Sequence, residues 1–329
     1  MTKVAVLDDW QGVARQSADW SQLEKRAQVV FFEKPFDDQT ALVSALANVD
    51  IIVAMRERSA FPKAVIDGLS SLKMIALTGA RTWTMDIDAC TARHIPVCNT
   101  GAPQAGAATA ELALGLLLAA ARRISPADAS MRRGDFQQQL SAGVVLEGKT
   151  LGVIGLGRIG ARMARYGQAL GMKVLAWSQN LTDEHASAAG AQRVDKDTLL
   201  SQSDAISLHL VLSERTRGII GPDELARMKD TAILVNTSRG PLIDEEALLK
   251  NLHAGRLIAG LDVYEREPLP ATHPLRTLPN TVLTPHQGYA TKEIYQQFYR
   301  ESIENVLAFL DGKPTRMLNP EAWTDQGTK

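Results

Sequence analysis

The sequence predicts an α/β fold with two domains, each built on a doubly wound parallel sheet. Short β-branched or apolar runs alternate with longer segments of helical period, which is typical of parallel βαβ units. A long alanine- and leucine-rich segment interrupts this alternation, and the alternation then restarts. The chain has 329 residues, which is too long for one ordinary core and enough for two.

Four apolar runs predict the strands of the first sheet, at residues 4–7, 29–32, 51–53 and 74–77. A helix over 104–122 follows Pro103 and is interpreted as the connection between the domains. Six later runs predict the second sheet, at residues 151–154, 174–177, 205–208, 233–235, 258–261 and 282–283.

The end of the chain predicts one amphipathic helix over residues 291–310. One helix is too little for a domain, so we expect it to pack on the first sheet. The first domain is then discontinuous, with residues 1–101 and 289–329 surrounding a second domain of residues 102–288.

Composition favours a small molecule as the partner. The chain carries 36 lysines and arginines against 37 aspartates and glutamates, a net charge of −1, so no global field attracts nucleic acid or an anionic membrane. Only Cys90 and Cys98 are present, and the start resembles no signal peptide, which predicts a reducing, cytoplasmic location. The two cysteines and the five histidines other than His286 form no metal-ligand spacing.

A glycine-rich turn follows the first strand of the second domain. Gly155, Gly157 and Gly160 form a G-x-G-x-x-G pattern that runs directly into a helical segment, with Arg158 and Ile159 inside it. These glycines permit a tight turn, close approach of a pyrophosphate, and close packing of helix on strand. Arg158 could add a charge-assisted bond to the phosphate. The sequence therefore predicts a Rossmann nucleotide domain.

The position of this pattern near the middle of the chain indicates an insertion. A nucleotide domain that came first would carry the glycines near residue 1. We therefore expect the Rossmann domain to be inserted in a flavodoxin-like domain that binds the substrate.

Polar residues end the predicted strands of the second domain. In a doubly wound sheet, ligands bind beyond the carboxyl ends of the strands. Those ends carry Ser178, His209, the run 236–240 with Arg239, Asp262 and His286. Each could have a structural role when taken alone, but together, next to a nucleotide-binding turn, they predict an active site.

The residue types suit hydride transfer to a 2-oxo acid. That reaction needs a cation to hold the carboxylate and polarise the carbonyl, and an acid to protonate the developing alkoxide. Arg239 and His286 supply these groups. Glu267 is the candidate carboxylate that orients the histidine ring.

The chain resembles the D-isomer-specific 2-hydroxyacid dehydrogenases over nearly its whole length. The matching stretches are residues 155–160, 235–240, 261–268 and 284–286, in the family's order. The resemblance implies a substrate-binding Arg239, an acid/base His286 with Glu267 as its partner, and an Asp262 that bonds the nicotinamide carboxamide.

The resemblance also implies further contacts. For the cofactor these are Thr109 at the start of the long helix and Thr237. For the substrate they are Arg56 and the loop of Thr78, Gly79 and Ala80, whose backbone N–H groups receive the carboxylate. We expect the site to lie between the two domains, and a homodimer built through the nucleotide domain and the long helix.

Two departures from the family pattern affect specificity. Tyr289 brings a phenol near His286, where the family has a small residue. The acid that selects NAD is expected about 20 residues after the glycines and is replaced by Ser178, Gln179 and Asn180. Neutral donors in this turn favour NADP over NAD, or the use of both.

The leading hypothesis is an oxidoreductase acting on glyoxylate, hydroxypyruvate or a similar short 2-oxo acid. Phosphoglycerate dehydrogenase is an alternative within the family. A nucleotide-sensing binding protein, similar to the transcriptional corepressors of the same fold, is an alternative from another class. A formate dehydrogenase is disfavoured because that branch carries glutamine where this chain has Glu267.

Overall fold

A computed structural model shows two compact units and describes residues 1–80 and 83–323. The first unit combines Met1–Pro103 with Ala290–Lys329, and the second is Gln104–Tyr289. The chain thus leaves the first unit, forms the second, and returns to the first.

The first unit holds a five-stranded parallel sheet. Its elements are β1 (Thr2–Val6), α1 (Ala14–Ser17), α2 (Ser21–Glu24), β2 (Ala27–Phe31), α3 (Gln39–Leu46), β3 (Ile51–Ala54), α4 (Lys63–Gly68), β4 (Met74–Leu77), α5 (Ile87–Ala92) and β5 (Val97–Asn99). The strand order β2-β1-β3-β4-β5 is the flavodoxin-like order. The sequence analysis did not predict β5.

The second unit holds a seven-stranded parallel sheet between two layers of helices. Its elements are α6 (Ala105–Arg122), α7 (Ile124–Arg132), β6 (Thr150–Ile154), α8 (Arg158–Ala169), β7 (Lys173–Trp177), α9 (Asp183–Ala188), β8 (Gln192–Arg193), α10 (Lys196–Gln202), β9 (Ala205–Leu208), α11 (Pro222–Arg227), β10 (Ala232–Asn236), α12 (Glu245–His253), β11 (Leu257–Leu261) and β12 (Thr281–Leu283).

The strand order of this sheet, β12-β11-β10-β9-β6-β7-β8, is the Rossmann order with one further strand. The chain reverses direction across the sheet between β6 and β9, which is the switch point where doubly wound sheets bind nucleotides. Two apolar clusters cover the faces of this sheet. The six predicted strands are present, and the two-residue β8 was not predicted.

Helix α6 is the one helix in residues 1–80 and 83–323 that is long and apolar enough to cross a membrane by length and composition. Its buried residues include Ala113, Leu116 and Leu117, and they belong to the apolar core against β6, β10 and other strands of the second unit. Close packing is evident at Gly260 of β11, where a Cβ would lie 3.0 Å from Leu116 Cβ. In the fold, α6 is therefore a core helix.

The last helix, α13 (Lys292–Leu310), belongs to the first unit. The Thr291 side chain accepts a hydrogen bond from the Ile294 N–H group and so caps its first turn. One face of the helix is buried, including Phe298 and Tyr299, and it packs against β4, β5 and α1. The amphipathic pattern arises because one side of α13 covers the first sheet.

Candidate active site

The predicted polar residues of the second unit lie along one edge of its sheet. Neighbouring strands are parallel, and the register pairs Ile154 with Leu208, and Leu261 with both Asn236 and Leu283. The loops that follow β6, β9, β10, β11 and β12 therefore leave the sheet side by side. This arrangement brings the glycine turn and the loops of Arg239, Asp262 and His286 to a common edge.

The glycine turn has the geometry that a dinucleotide needs. Gly155 has a φ of +95°, and a Cβ there would lie 2.7 Å from the His209 carbonyl carbon. A Cβ on Gly160 would lie 2.0 Å from the Gly155 carbonyl oxygen. These two glycines are required by the fold itself, because a side chain at either position would collide with backbone.

Gly157 is different, because the fold does not require a glycine there. Its φ is −78°, and a Cβ would meet no atom within 4 Å. The bare Cα instead keeps open the space in front of the N-terminus of α8, which no side chain caps. An open space beside uncapped helix N–H groups fits a pyrophosphate. Arg158 is exposed at the same helix start, and Ile159 is half-buried.

The turn after β7 carries the residues expected to select the cofactor. Ser178 is half-buried, and Gln179 and Asn180 are exposed. The Leu181 N–H group donates to the Ser178 carbonyl oxygen at 3.1 Å, which closes the turn. The turn presents neutral polar groups and no carboxylate.

The loop after β10 holds Arg239 through its own backbone. The Asn236 side chain donates to the Arg239 carbonyl oxygen at 2.8 Å and accepts from the Ser238 N–H group at 3.0 Å. A Cβ on Gly240 would lie 2.0 Å from the Tyr264 carbonyl carbon, so this loop packs directly on the loop after β11. Arg239 is half-buried, and its Nη1 donates to the Ser238 carbonyl oxygen at 2.7 Å.

Thr237, in the same loop, has a buried hydroxyl whose Oγ1 has no hydrogen-bond partner among the described residues. Buried hydroxyl groups are normally satisfied. An unsatisfied one beside the switch point fits a group that bonds a ligand, as the sequence analysis predicted for Thr237.

His286 and Glu267 are in direct contact. His286 Nδ1 lies 2.5 Å from Glu267 Oε2, and the two side chains are 26% and 33% exposed. The other carboxylate oxygen, Oε1, accepts a hydrogen bond from the Tyr264 N–H group at 2.9 Å. Glu267 is therefore fixed by the β11 loop and in turn orients the imidazole, which leaves His286 Nε2 for proton exchange.

Asp262 lies between these loops and is 1% exposed. Its carboxylate accepts hydrogen bonds from the Thr284 hydroxyl at 2.6 Å, from the Gln287 N–H group at 2.8 Å and from the Gly288 N–H group at 2.9 Å. Burial raises the pKa of Asp262, and these hydrogen bonds oppose the rise.

Thr109 and Tyr289 contact the same loop. The Thr109 hydroxyl donates to the Ala105 carbonyl oxygen at 2.8 Å and to that of Gly288 at 3.2 Å. The Tyr289 ring meets the His286 ring edge-on, with centroids 6.2 Å apart, and Tyr289 is 6% exposed. The phenol therefore packs beside the imidazole.

Half-buried His209 forms a pair with buried Ser207 that the sequence analysis did not predict. Ser207 Oγ lies 2.8 Å from His209 Nε2, and burial lowers the pKa of His209 to about 4. This imidazole is neutral at physiological pH and does not suit acid–base chemistry there. Alternation of side chains along β9 places residues 207 and 209 on one face, and that spacing is the signal that could have identified the pair.

In the first unit, Arg56 lies against the loop after β4. The Arg56 N–H group donates to Thr78 Oγ1 at 3.0 Å, and a Cβ on Gly79 would lie 2.5 Å from Arg56 Nη1. The guanidinium therefore packs on the bare Cα of Gly79. Arg56 also has a φ of +49° and lies 3.5 Å from the carboxylate of Glu57.

The N–H groups of Thr78 and Gly79, which we expect to receive a carboxylate, donate within the first unit in this structure. The Thr78 N–H group donates to the Ala54 carbonyl oxygen at 2.9 Å, and the Gly79 N–H group donates to Thr100 Oγ1 at 2.7 Å. Pairing with β3 thus uses the Thr78 group, and a side-chain hydroxyl uses the Gly79 group. Ala80, the third residue of this loop, is exposed.

Comparison with known proteins places the chain in a family. The sequence profile of the D-isomer specific 2-hydroxyacid dehydrogenase, NAD binding domain, matches residues 114–288, which is more than half of the chain. This chain belongs to the D-isomer specific 2-hydroxyacid dehydrogenase family. The family resemblance inferred from the sequence is therefore confirmed.

Individual members of the family cover most of the chain. It is 42% identical over 272 residues to D-3-phosphoglycerate dehydrogenase of Methanocaldococcus jannaschii, covering 81% of this chain and 51% of that protein. It is 39% identical over 292 residues to glyoxylate reductase of Thermococcus litoralis, covering 86% and 87%. The chain spans about half the length of the first curated relatives it matches.

A solved structure confirms the fold class. The crystal structure of phosphoglycerate oxidoreductase from Vibrio cholerae o395 matches with a TM-score of 0.89 at 35% sequence identity, covering 94% of this chain and 99% of that chain. The fold of this chain, with its parallel α/β sheets, is therefore similar to that of this solved structure.

Proposed function

We propose that this protein is a nicotinamide-dependent oxidoreductase that interconverts a small 2-oxo acid and the corresponding 2-hydroxy acid. The contact between His286 Nδ1 and Glu267 Oε2, on the same sheet edge as the glycine turn, carries the proposal. A histidine oriented by a carboxylate is a group suited to proton transfer. Membership of the 2-hydroxyacid dehydrogenase family supports the same reaction class.

Three residues of the chain have separate roles in the proposed reaction. His286 Nε2 delivers a proton to the carbonyl oxygen as it becomes an alkoxide, and Glu267 stabilises the protonated imidazole. Arg239 binds the substrate carboxylate and polarises the carbonyl, which suits a guanidinium held by its own loop. A nicotinamide cofactor supplies the hydride when bound.

The residues of the second unit fit such a cofactor. The open space at Gly157 and the uncapped start of α8 would hold the pyrophosphate. Arg158 is suited to pair with that group, because its guanidinium has no partner among the described residues. The unsatisfied hydroxyl of Thr237 would bond a polar group of the cofactor.

We infer a preference for NADP, or use of both cofactors, from the turn after β7. Ser178 carries no charge that would repel a 2′-phosphate. A candidate cation is Arg193 of β8, which is paired in register with Ala176 of β7. Its ion pair with Asp183 is 3.5 Å long and exposed, so it costs little to exchange for a phosphate.

The substrate is proposed to be a short 2-oxo acid such as glyoxylate or hydroxypyruvate. Glyoxylate reductases among the relatives match 77% and 87% of their own lengths, which supports this class. The matches to phosphoglycerate dehydrogenase and phosphoglycerate oxidoreductase make 3-phosphohydroxypyruvate the second candidate. Arg56 and Ala80 of the first unit are proposed to bind the substrate carboxylate.

A homodimer is proposed through the second unit. Residues 124–145 carry large apolar side chains that are more than half exposed: Ile124, Met131, Phe136 and Val145. Apolar surface of this kind marks an interaction site. A monomeric mass in sedimentation would contradict the proposal.

The cytoplasmic location and the placement of the site between the two units stay predictions.

One experiment tests the proposed reaction. The purified protein is mixed with NADPH or NADH and a panel of glyoxylate, hydroxypyruvate, pyruvate and 3-phosphohydroxypyruvate, and loss of the reduced cofactor is followed by absorbance. Steady turnover with at least one acid, abolished in His286→Ala, supports the proposal. Cofactor binding without turnover on any acid would identify a binding protein instead.

A further inference from the structure

The carboxylate of Asp262 is surrounded by donors from a single loop. Oδ1 accepts from the Thr284 hydroxyl at 2.6 Å and from the Gln287 N–H group at 2.8 Å, and Oδ2 accepts from the Gly288 N–H group at 2.9 Å. The Asp262 carbonyl oxygen accepts a fourth bond, from the His286 N–H group at 2.8 Å. Asp262, in the loop after β11, therefore holds the segment that carries His286 through both its side chain and its backbone.

These bonds use most of what the carboxylate can accept. An ionised carboxylate has about four acceptor positions, and three are taken within the loop. The residue is 1% exposed. Asp262 thus makes extensive hydrogen bonds within the chain itself.

His286 has a backbone that needs such support. Its φ is +50°, a left-handed conformation that is unusual for a residue with a side chain and persists only where the surroundings determine it. The two N–H groups that follow, on Gln287 and Gly288, both point at the Asp262 carboxylate. Successive N–H groups beside a left-handed residue form a concave anion site, which here is filled by a side chain of the protein.

We propose that Asp262 is a positioning residue that fixes the left-handed backbone of His286 and so presents the imidazole to Glu267. The proposal rests on the proposed function only in giving His286 its role in proton transfer. Asp262 acts through the loop of residues 284–288, and a direct contact with the nicotinamide is not needed for its effect on turnover.

Two substitutions test the proposal, one at the carboxylate itself and one at its hydroxyl donor Thr284. In Asp262→Asn the amide can face the loop in either orientation, and in each one a backbone N–H group of Gln287 or Gly288 meets an NH2 donor. Thr284→Val removes a donor to the same carboxylate and leaves Asp262 in place. Thr281→Val is the matched control, because the Thr281 hydroxyl donates to the Leu275 and Leu278 carbonyl oxygens instead.

The first measurement is amide hydrogen exchange of Gln287 and Gly288, relative to core amides of β6. We expect exchange to accelerate about 10- to 100-fold in Asp262→Asn, the effect of losing one bond to a charged group, and about 10-fold in Thr284→Val. Thr281→Val should keep the wild-type ratio. Wild-type protection of both amides in either test variant would overturn the proposal.

The second measurement separates positioning from cofactor contact. In Thr284→Val we expect kcat to fall, by about 100-fold if the imidazole is misplaced by about 1 Å. The Kd of the reduced cofactor, measured by fluorescence titration, should stay within about threefold of the wild-type value. If Thr284→Val turns over like the wild type, positioning through this loop is refuted. The exchange experiment needs no substrate, so failure of the proposed reaction would not be confused with failure of this inference.

Discussion

Gly157→Ala should separate cofactor binding from folding. The φ of −78° and ψ of −161° at this position are accessible to alanine, and its Cβ would meet no atom within 4 Å. Reduced flexibility of the unfolded chain favours alanine by about 0.4 to 1 kcal/mol, whereas alanine is a poorer N-cap than glycine by a similar amount. The two terms nearly cancel, so the free energy of unfolding should change by less than about 1 kcal/mol.

Cofactor affinity should respond very differently to the same methyl group. The methyl carbon would occupy the space proposed for the pyrophosphate, in front of the first turn of α8. Displacement of the pyrophosphate would break one or two hydrogen bonds to a charged phosphate, and each such bond is worth about 1.5 to 3 kcal/mol. The Kd of the cofactor should therefore rise at least about 10-fold. Fluorescence titration of NADPH and NADH measures this, and thermal unfolding measures the stability.

Two other glycines supply the controls. Gly115→Ala also places a methyl group in open space, but within α6, so it should stabilise the helix by up to about 1 kcal/mol and leave cofactor binding unchanged. Gly160→Ala creates a 2.0 Å contact with the Gly155 carbonyl oxygen and should destabilise the unit. If Gly157→Ala bound cofactor as tightly as the wild type, the assignment of the pyrophosphate site would be refuted.

The remaining catalytic and cofactor predictions concern single side chains. His286→Ala should lower kcat by about 100- to 10,000-fold, and near-native turnover would refute the assignment of His286 as the proton donor. Glu267→Gln should lower kcat less than His286→Ala does, because the amide oxygen can still accept a hydrogen bond from His286 Nδ1 but carries no charge; a wild-type kcat in Glu267→Gln would count against the pair. Ser178→Asp and Arg193→Ala should each weaken NADPH relative to NADH by about 10-fold or more in kcat/KM, and a native preference for NADH would contradict both.

The sequence was most informative where one local pattern determines the structure. The glycine turn could be located because Gly155 and Gly160 are enforced by backbone contacts that no other residue allows. The last helix was predicted to within one residue of α13, because Thr291 caps it and one face is buried. The contact of Gly160 with the Gly155 carbonyl oxygen and the Thr291 cap are local along the chain, whereas the contact of Gly155 with the His209 carbonyl group is not.

Short strands were missed for a related reason. β5 has three residues and β8 has two, which is too short for an alternation to be recognised; β12, also of three residues, was predicted from its apolar pair at residues 282–283. β5 exists because Ile75 and Leu77 of β4 pair with Val97 and Asn99, a contact between segments some 20 positions apart. The sequence alone carries little signal of such pairing.

The candidate site was predictable as a set of residue types but not as a network. Arg239, Glu267 and His286 could be identified from their chemistry and family pattern, and the structure brings the last two into contact. That the amides of Thr78 and Gly79 are already used, or that Asp262 holds the His286 loop, depends on backbone N–H groups whose partners lie far away in sequence. Side-chain identity gives no information about those bonds.

Asp8 lies outside the proposed chemistry and gives a prediction about stability and pH. It follows β1 with a φ of +60°, is 0% exposed, and accepts a hydrogen bond from the Ser59 hydroxyl at 3.0 Å. Burial raises the pKa of Asp8 from 3.8 to about 6, and the hydrogen bond from Ser59 and the charge of Arg58 only partly oppose this rise.

The raised pKa sets the direction of the effect. Between pH 4 and 6 the folded chain holds a proton on Asp8 that the unfolded chain has released, so this residue makes the fold less stable as the pH rises. This destabilisation is nearly absent below pH 4 and complete above pH 6. The rise of the Asp8 pKa from 3.8 to about 6 then corresponds to about 3 kcal/mol of the free energy of unfolding. Asp8→Asn keeps a neutral acceptor for Ser59 and cannot ionise, so its advantage over the wild type should grow by about 2 kcal/mol between pH 4.5 and 8. Urea unfolding at the two pH values measures this, with the exposed Asp37→Asn as control, and an advantage of equal size at both would show that Asp8 is not a buried, reluctantly ionised carboxyl.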